Sequence, residues 1–345
     1  MRLRRSAVPV LALAALVTAA CGEGRPPQPA ASVSPTSTVV SEGAVVPPAI
    51  APLTGLPDES GETAARPSVA VKIDNAAQAR PQSGLDVADV VYEEVVEGGV
   101  TRFIAVFHSL APDLAGPVRS VRPMDPAVLA AYRGLVAYSG GIPAFVSMMR
   151  KAPVQDVNVD VATDAYSWDK KRSAPHNQFV SPTKLWPKAK GDNNGPPPAM
   201  FDFRAPGDAF GEAEARHVAI PYSPRQASVY DWDDASGTWK RTSNGTPHMT
   251  ASHVQIAPHN LIVQFVRTHT LNYVDQSGSK VVGAEVTGTG EAWVLSGGRI
   301  GKGKWSKSSD GARTRFTDGD GKPVKLTPGR TWVHFAPVGT PVTAR

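Results

Sequence analysis

One cysteine, Cys21, stands in 345 residues, so no intramolecular disulfide can form. No G-x-S-x-G element occurs, and a lone cysteine near the start leaves serine- and cysteine-hydrolase chemistry without a motif. Basic runs are absent too. The formal charge of +5 arises from 36 basic and 31 acidic residues, and Arg2, Arg4 and Arg5 fall in the first five positions. Thirty-six less those three leaves 33 against 31, too small a surplus for nucleic-acid binding. No repeat is visible. His248, His253 and His259 are spaced by five and six, which suits neither a helical HExxH nor a zinc finger. DGDG at 318–321 lacks the other ligands of a calcium loop and reads as a hairpin turn. GRIGKGKW at 298–305 puts Trp305 where a phosphate loop needs Ser or Thr. Neither a metal nor a cofactor is expected.

What is there begins with an address. The three arginines precede an uncharged stretch from Ser6 to Ala20, the layout of a secretory signal. This stretch contains Pro9 and falls short of the ~20 apolar residues that cross a bilayer. Thr18-Ala19-Ala20 before Cys21 resembles the lipobox of bacterial lipoproteins, with threonine where an aliphatic residue is usual. That resemblance implies cleavage before Cys21 and diacylglycerol on its thiol. Two acyl chains hold a protein stably at ~0.8 kcal/mol per buried CH₂. Residues 1–20 are therefore expected to be a signal peptide and 21–52 a lipidated tether at the outer face of the cell membrane. The stretch 22–52 is rich in Pro, Ser and Thr and lacks aromatics, so it cannot bury a core. As a coil it would span roughly 30 Å.

The remainder is long enough for two cores. GDNNGPPP at 191–198 is a run of breaker signals, and the pattern changes around it. Before it, SVAVKID (68–74), DVVYEEVV (89–96) and RFIAVFHS (102–109) read as strands, with Glu97-Gly98-Gly99 as a hairpin turn. Asp125 is expected to cap a helix with Pro126 at its first position, and PAFVSMMRK (143–151) reads as a second helix. After the break, ASVYDWD, TWKRT, NLIVQFV, EAWVLSGG and TWVHFAP are strands punctuated by glycine. The expected class is α+β: a mixed α/β sheet domain over 53–200, then a mainly antiparallel β domain over 201–345.

RPSVAVKIDN (66–75), ARPQSGLDVADVVYEEVVEGGVTRF (79–103), GPVRSVRPMD (116–125), APHN (174–177), GTGEAWVLSGGRIGKGKW (288–305) and LTPGRTWVHFAP (326–337) occur in this order. Together they closely resemble the YerB-like lipoproteins, whose two domains are described as of unknown function. The resemblance implies a two-domain, membrane-anchored protein and transfers no active site. Gly140-Gly141 is preceded by Ser139, where that family would have histidine.

The strongest chemical signal is cationic. Arg102 opens a strand, while Arg119 and Arg122 flank Ser120-Val121 in the loop leading to Asp125. Guanidinium forks match carboxylate and phosphate oxygens, and a helix N-terminus adds positive potential. The structural alternative is that these arginines pair with Asp89, Glu93 and Glu94 on the adjacent strand. Asp74-Asn75 at a strand end suits a ligand or Mg²⁺, or else an Asx turn. His176 could serve as a general base, but no partner acid is identifiable, and a backbone-bonded loop histidine is the simpler reading.

The order of Asp89, two strands, an arginine-rich loop ending in Asp125, and Gly140-Gly141 before a helix is similar to the LytR-CpsA-Psr phosphotransferases. That similarity implies arginines and an aspartate holding a polyprenyl pyrophosphate-linked glycan. Two functions follow as expectations. The first is a lipoprotein binding an anionic cell-envelope ligand or a wall-synthesis protein. The second is a transferase acting on polyprenyl-phosphate-linked wall precursors. No catalytic set is assigned.

Overall fold

The computed structural model describes residues 49–345, Glu59 and Pro206 excepted. The signal segment, Cys21 and the tether up to residue 48 lie outside the described residues. Within the expected tether, residues 49–52 already belong to the fold. Ala49–Ile50 pairs antiparallel with Pro57–Asp58, and Ala51 is buried.

Three strands form where the β-branched runs predict them: β1 (Val69–Asp74), β2 (Val90–Val95) and β3 (Thr101–Phe107). Every residue of β1 and β3 is buried, as is all of β2 except Val95. Continuous burial means both faces of the sheet are covered. β2 and β3 form an antiparallel hairpin across Glu97–Gly99, where Gly98 and Gly99 take φ of 71° and 72°. Side chains other than glycine rarely adopt that backbone. Strand β1 pairs antiparallel with β3 and parallel with β4 (Leu135–Ala137), which pairs with β5 (Gln155–Asp156).

Helix α2 (Pro143–Lys151) matches its expected span, whereas α1 (Asp125–Leu129) is a short helix with a different start. Met124, not Asp125, occupies the cap, so that expectation is corrected. The Asp125 carboxylate instead accepts from the backbone N–H of Arg122 (2.8 Å) and from Lys72, which draws it into the interior.

The second stretch is strand-rich as expected. It contributes β6 (Ala213–Glu214), β7 (His217–Ser223), β8 (Gln226–Asp233), β9 (Thr238–Ser243), β10 (Asn260–Val266), β11 (Thr268–Val274), β12 (Lys280–Ala284), β13 (Gly288–Ser296), β14 (Arg299–Lys307), β15 (Arg315–Asp318), β16 (Thr331–Pro337) and β17 (Thr343–Ala344). An eleven-stranded sheet runs β6-β14-β13-β10-β16-β2-β3-β1-β4-β5, with β15 beside β14. Strand β16 lies between β10 and β2 and is parallel to both. The two stretches of sequence thus share one sheet. Strands β7 to β9, together with Thr246–Pro247 and β17, make a separate five-stranded sheet. The strand-rich reading with several sheets holds.

Alternation sorts the side chains. Val71, Ile73, Val91, Phe103 and Ala105 pack with Val218, Tyr230, Trp239 and Trp332, toward the five-stranded sheet. Ala70, Val90, Tyr92, Ile104 and Val106 pack with Val128, Leu129, Phe145 and Met149, toward the helices. By the same alternation Lys72, Asp74, Glu94 and Arg102 point to the helix side, and Glu93 to the other.

Candidate functional site

Asp74 of β1 and Glu94 of β2 both stand directly across from Arg102 of β3 in the strand register. Cross-strand neighbours of opposite charge normally pair. Here they do not, because each carboxylate is taken by another partner. Glu94 pairs with Lys72, whose Nζ also lies 2.8 Å from Asp125 Oδ1. Burial and the facing Asp125 carboxylate push the Glu94 pKa up, against the pull of Lys72. Asp74 Oδ2 lies 2.6 Å from His176 Nδ1 and 3.1 Å from Arg119 Nε. The Arg119 contact is within ion-pair range but off-axis for a hydrogen bond, so its attraction is Coulombic. Asp74 Oδ1 accepts from the N–H of Ala76 at 3.0 Å, closing the Asx turn that the sequence allowed.

Arg102 is left with no carboxylate partner among the described residues. It is 7 % exposed, and its one hydrogen bond runs from Nη1 to the Ser120 carbonyl (3.1 Å). Its other donors lack a protein partner among the described residues without being sealed from solvent. Burial, then the charges of Arg122 and Arg119, push its pKa down to about 10, while Asp74 and Glu97 pull the other way. It remains a cation at neutral pH. Arg122 is committed elsewhere, donating from Nε (2.9 Å) and Nη2 (2.6 Å) to Glu97 Oε2. Arg119 and His176 are each about one-fifth exposed. The rim of the cluster is therefore open while its base is buried.

Of the seven residues singled out in the sequence, four gather here: Arg102, Arg119, Asp74 and His176. Arg122 borders the group through the shared Ser120 carbonyl. Asp125 belongs to the Lys72 pair behind it. Asn75 does not share a ligand site with Asp74, because successive strand residues face opposite ways. Its amide donates to Thr101 (2.7 Å) and Glu93 (3.3 Å), and its oxygen accepts from Arg80 (2.9 Å).

The expected pairing of the arginines with Asp89, Glu93 and Glu94 is also corrected. Asp89 accepts from the N–H groups of His108 (2.6 Å) and Ser109 (2.8 Å), and burial pushes its pKa up to about 6. Glu93 anchors a buried network on the opposite face. Arg241 Nη2 lies 2.9 Å from it, Thr101 Oγ1 2.7 Å, Ser228 Oγ 3.0 Å and His334 Nδ1 3.3 Å. Burial favours the neutral acid, but Arg241, His334 and the Thr101 hydroxyl outweigh it and hold the carboxyl well below its ordinary range. Arg241 is fully buried, with its guanidinium 5.1 Å above Trp332 and 5.3 Å above Phe103. Sequence reading missed this network. Its signal was Glu93-Glu94 inside an apolar strand, which sends one carboxylate to each covered face. A cleft of about 440 Å³ lined by Phe265, Glu291 and Trp293 lies in the second stretch and includes none of the arginine cluster.

Residues 53–195 match the family model described as "Protein of unknown function (DUF3048) N-terminal domain", and residues 218–333 match its C-terminal counterpart. The chain is 29 % identical over 301 residues to "Putative lipoprotein YerB" of Bacillus subtilis (strain 168). The match covers 83 % of this chain and 86 % of that protein. A crystal structure of YerB from Bacillus subtilis superposes with a TM-score of 0.75 at 25 % identity, covering 86 % of this chain and 99 % of that one.

Proposed function

Because the chain belongs to the family of paired DUF3048 N- and C-terminal domains, we propose that it is a lipoprotein whose Arg102–Arg119 cluster binds an anionic, phosphate-bearing ligand of the cell envelope, in wall synthesis or its regulation. The carrying observation is Arg102, a buried guanidinium flanked by two others and without a carboxylate among the described residues. A buried cation is costly unless an anion joins it. A phosphate brings several oxygens to two forks at once, which is the geometry guanidinium groups match best. The depth of Arg102 favours a small anionic group over a flat protein surface. Lipid on Cys21 would hold this site at the outer face of the membrane.

Two measurements test this reading. Arg102→Met is expected to weaken binding of a prenyl phosphate by about 1.5–3 kcal/mol, the worth of a charge-assisted hydrogen bond, with the prenyl alcohol as the silent control. The same variant should be at least as stable as the parent, since a buried repelled charge is removed. Unchanged affinity, or a marked loss of stability, would overturn the site. Cys21→Ala is expected to move the protein from the membrane fraction to the medium or to leave an uncleaved precursor. Recovery of unmodified Cys21 in soluble wild-type protein would end the anchor reading.

A further inference from the structure

We propose that Asp74 and His176 make this anion site a general-base site, in which His176 accepts a proton from a hydroxyl or water attacking the bound phosphate. The proposal rests on the phosphate reading above and adds a reaction to it. Three separate segments meet here: Asp74 ends β1, Arg119 lies in the loop between β3 and α1, and His176 comes from the 169–177 loop. His176 Nδ1–H donates to Asp74 Oδ2 at 2.6 Å. That bond fixes the tautomer, so the lone pair sits on Nε2. Nε2 has no protein partner among the described residues and is not sealed from solvent. Asp74 is itself 2 % exposed, with Arg119 beside the same Oδ2 and the Ala76 N–H on Oδ1. His217 supplies the contrast: its Asp231 partner is 61 % exposed and forms no ion pair besides this one among the described residues.

The step balances as follows. The nucleophile's oxygen forms a new bond to phosphorus as its proton passes to His176 Nε2. The bond from phosphorus to the leaving oxygen breaks, and its electron pair departs with that oxygen. The proton on His176 then returns to solvent. Asp125 and Glu94 are fully buried behind Lys72, so neither is placed to protonate a leaving group at the open rim. In this step the leaving group departs unprotonated, stabilised by Arg102 and Arg119. This restricts the substrate class to activated phosphates, namely phosphoanhydrides or esters of acidic alcohols. His176 is the catalytic residue, and Asp74 is a positioning residue.

The test uses the mature protein with bis(4-nitrophenyl) phosphate, whose nitrophenolate leaves without a proton. Release should rise with pH through a single ionisation and then level off. His176→Ala should lower it by about a hundredfold or more, the usual worth of general-base catalysis, and added imidazole should restore part of it. Asp74→Asn should lower the rate and displace the pH profile while prenyl phosphate still binds. Release no faster than that of His176→Ala, or no rescue by imidazole, would overturn the proposal. Prenyl phosphate binding that persists in that case would leave the anion site standing. Loss of both binding and release in Arg102→Met, with release intact in His176→Ala, would separate the two readings in the opposite sense and also overturn this one.

Discussion

Glu93→Ala is expected to lower the unfolding free energy by about 3–5 kcal/mol, the cost of stripping one partner from a buried ion pair. Arg241 would be left fully buried with its charge uncompensated among Ser228, Tyr230 and the rings of Phe103 and Trp332. The measurement is a denaturant midpoint with an unchanged slope. Removing both charges in Glu93→Leu with Arg241→Met should recover part of the loss, because no buried charge is then left unpaired, while the Thr101 and Ser228 hydroxyls and His334 still lose a partner. The pH dependence has a definite sign. The Glu93 carboxyl is held below its ordinary range in the folded state. Its contribution is therefore present above the unfolded pKa and is lost as pH falls through the folded one. Glu93→Gln should flatten that acidic limb. A loss under about 1 kcal/mol, the scale of an exposed pair, would show that the network does not join the two stretches as described.

Lys72→Met should be comparably damaging, and its pH dependence should run the other way. Lys72 is the cation between Glu94 and Asp125, and all three are buried. Without it, two carboxylates face each other on the helix side of the sheet. Burial and Asp125 already push the Glu94 pKa up. A carboxyl with a raised folded pKa binds its proton more tightly in the native state. Its protonation therefore supports the fold at low pH, and that support is lost as pH rises through the folded pKa. Loss of the ammonium raises that pKa further. The variant should approach wild-type stability in mild acid and fall behind it by about 3–5 kcal/mol in mild alkali, the range for a broken buried pair. Denaturant midpoints at a series of pH values read this directly. A deficit constant with pH would mean that the methionine fails through packing rather than charge.

Much was readable because it depends on short-range physics. The runs SVAVKID, DVVYEEVV and RFIAVFHS become strands since β-branched and aromatic side chains fit a pleated surface wherever the run occurs. Glu97-Gly98-Gly99 becomes a turn because the backbone there needs the left-handed region. Arg102, Arg119 and Arg122 were singled out together in the sequence; Arg102 and Arg122 both donate to the Ser120 carbonyl, and the charges of Arg119 and Arg122 act on Arg102. Lys72 within VAVKID and Glu93-Glu94 within VVYEEV place charges on strands whose two faces are both covered, a signal that was there to be read.

Partner choice was not legible, because it depends on which distant segments the sheet brings side by side. Asp74 meets His176 102 residues later, and Glu93 meets Arg241 148 residues later. Neither spacing leaves a trace in sequence. The parallel insertion of β16 between β10 and β2 is equally silent, since a buried apolar strand reads the same beside any neighbour. That insertion brings His334 to Glu93. The sequence by itself determined the strands, the turns and the presence of buried charge, all set within a few residues by sterics and hydrophobic period. Only the tertiary structure decided which charge neutralises which, and so why Arg102, lying between two carboxylates, is left without either.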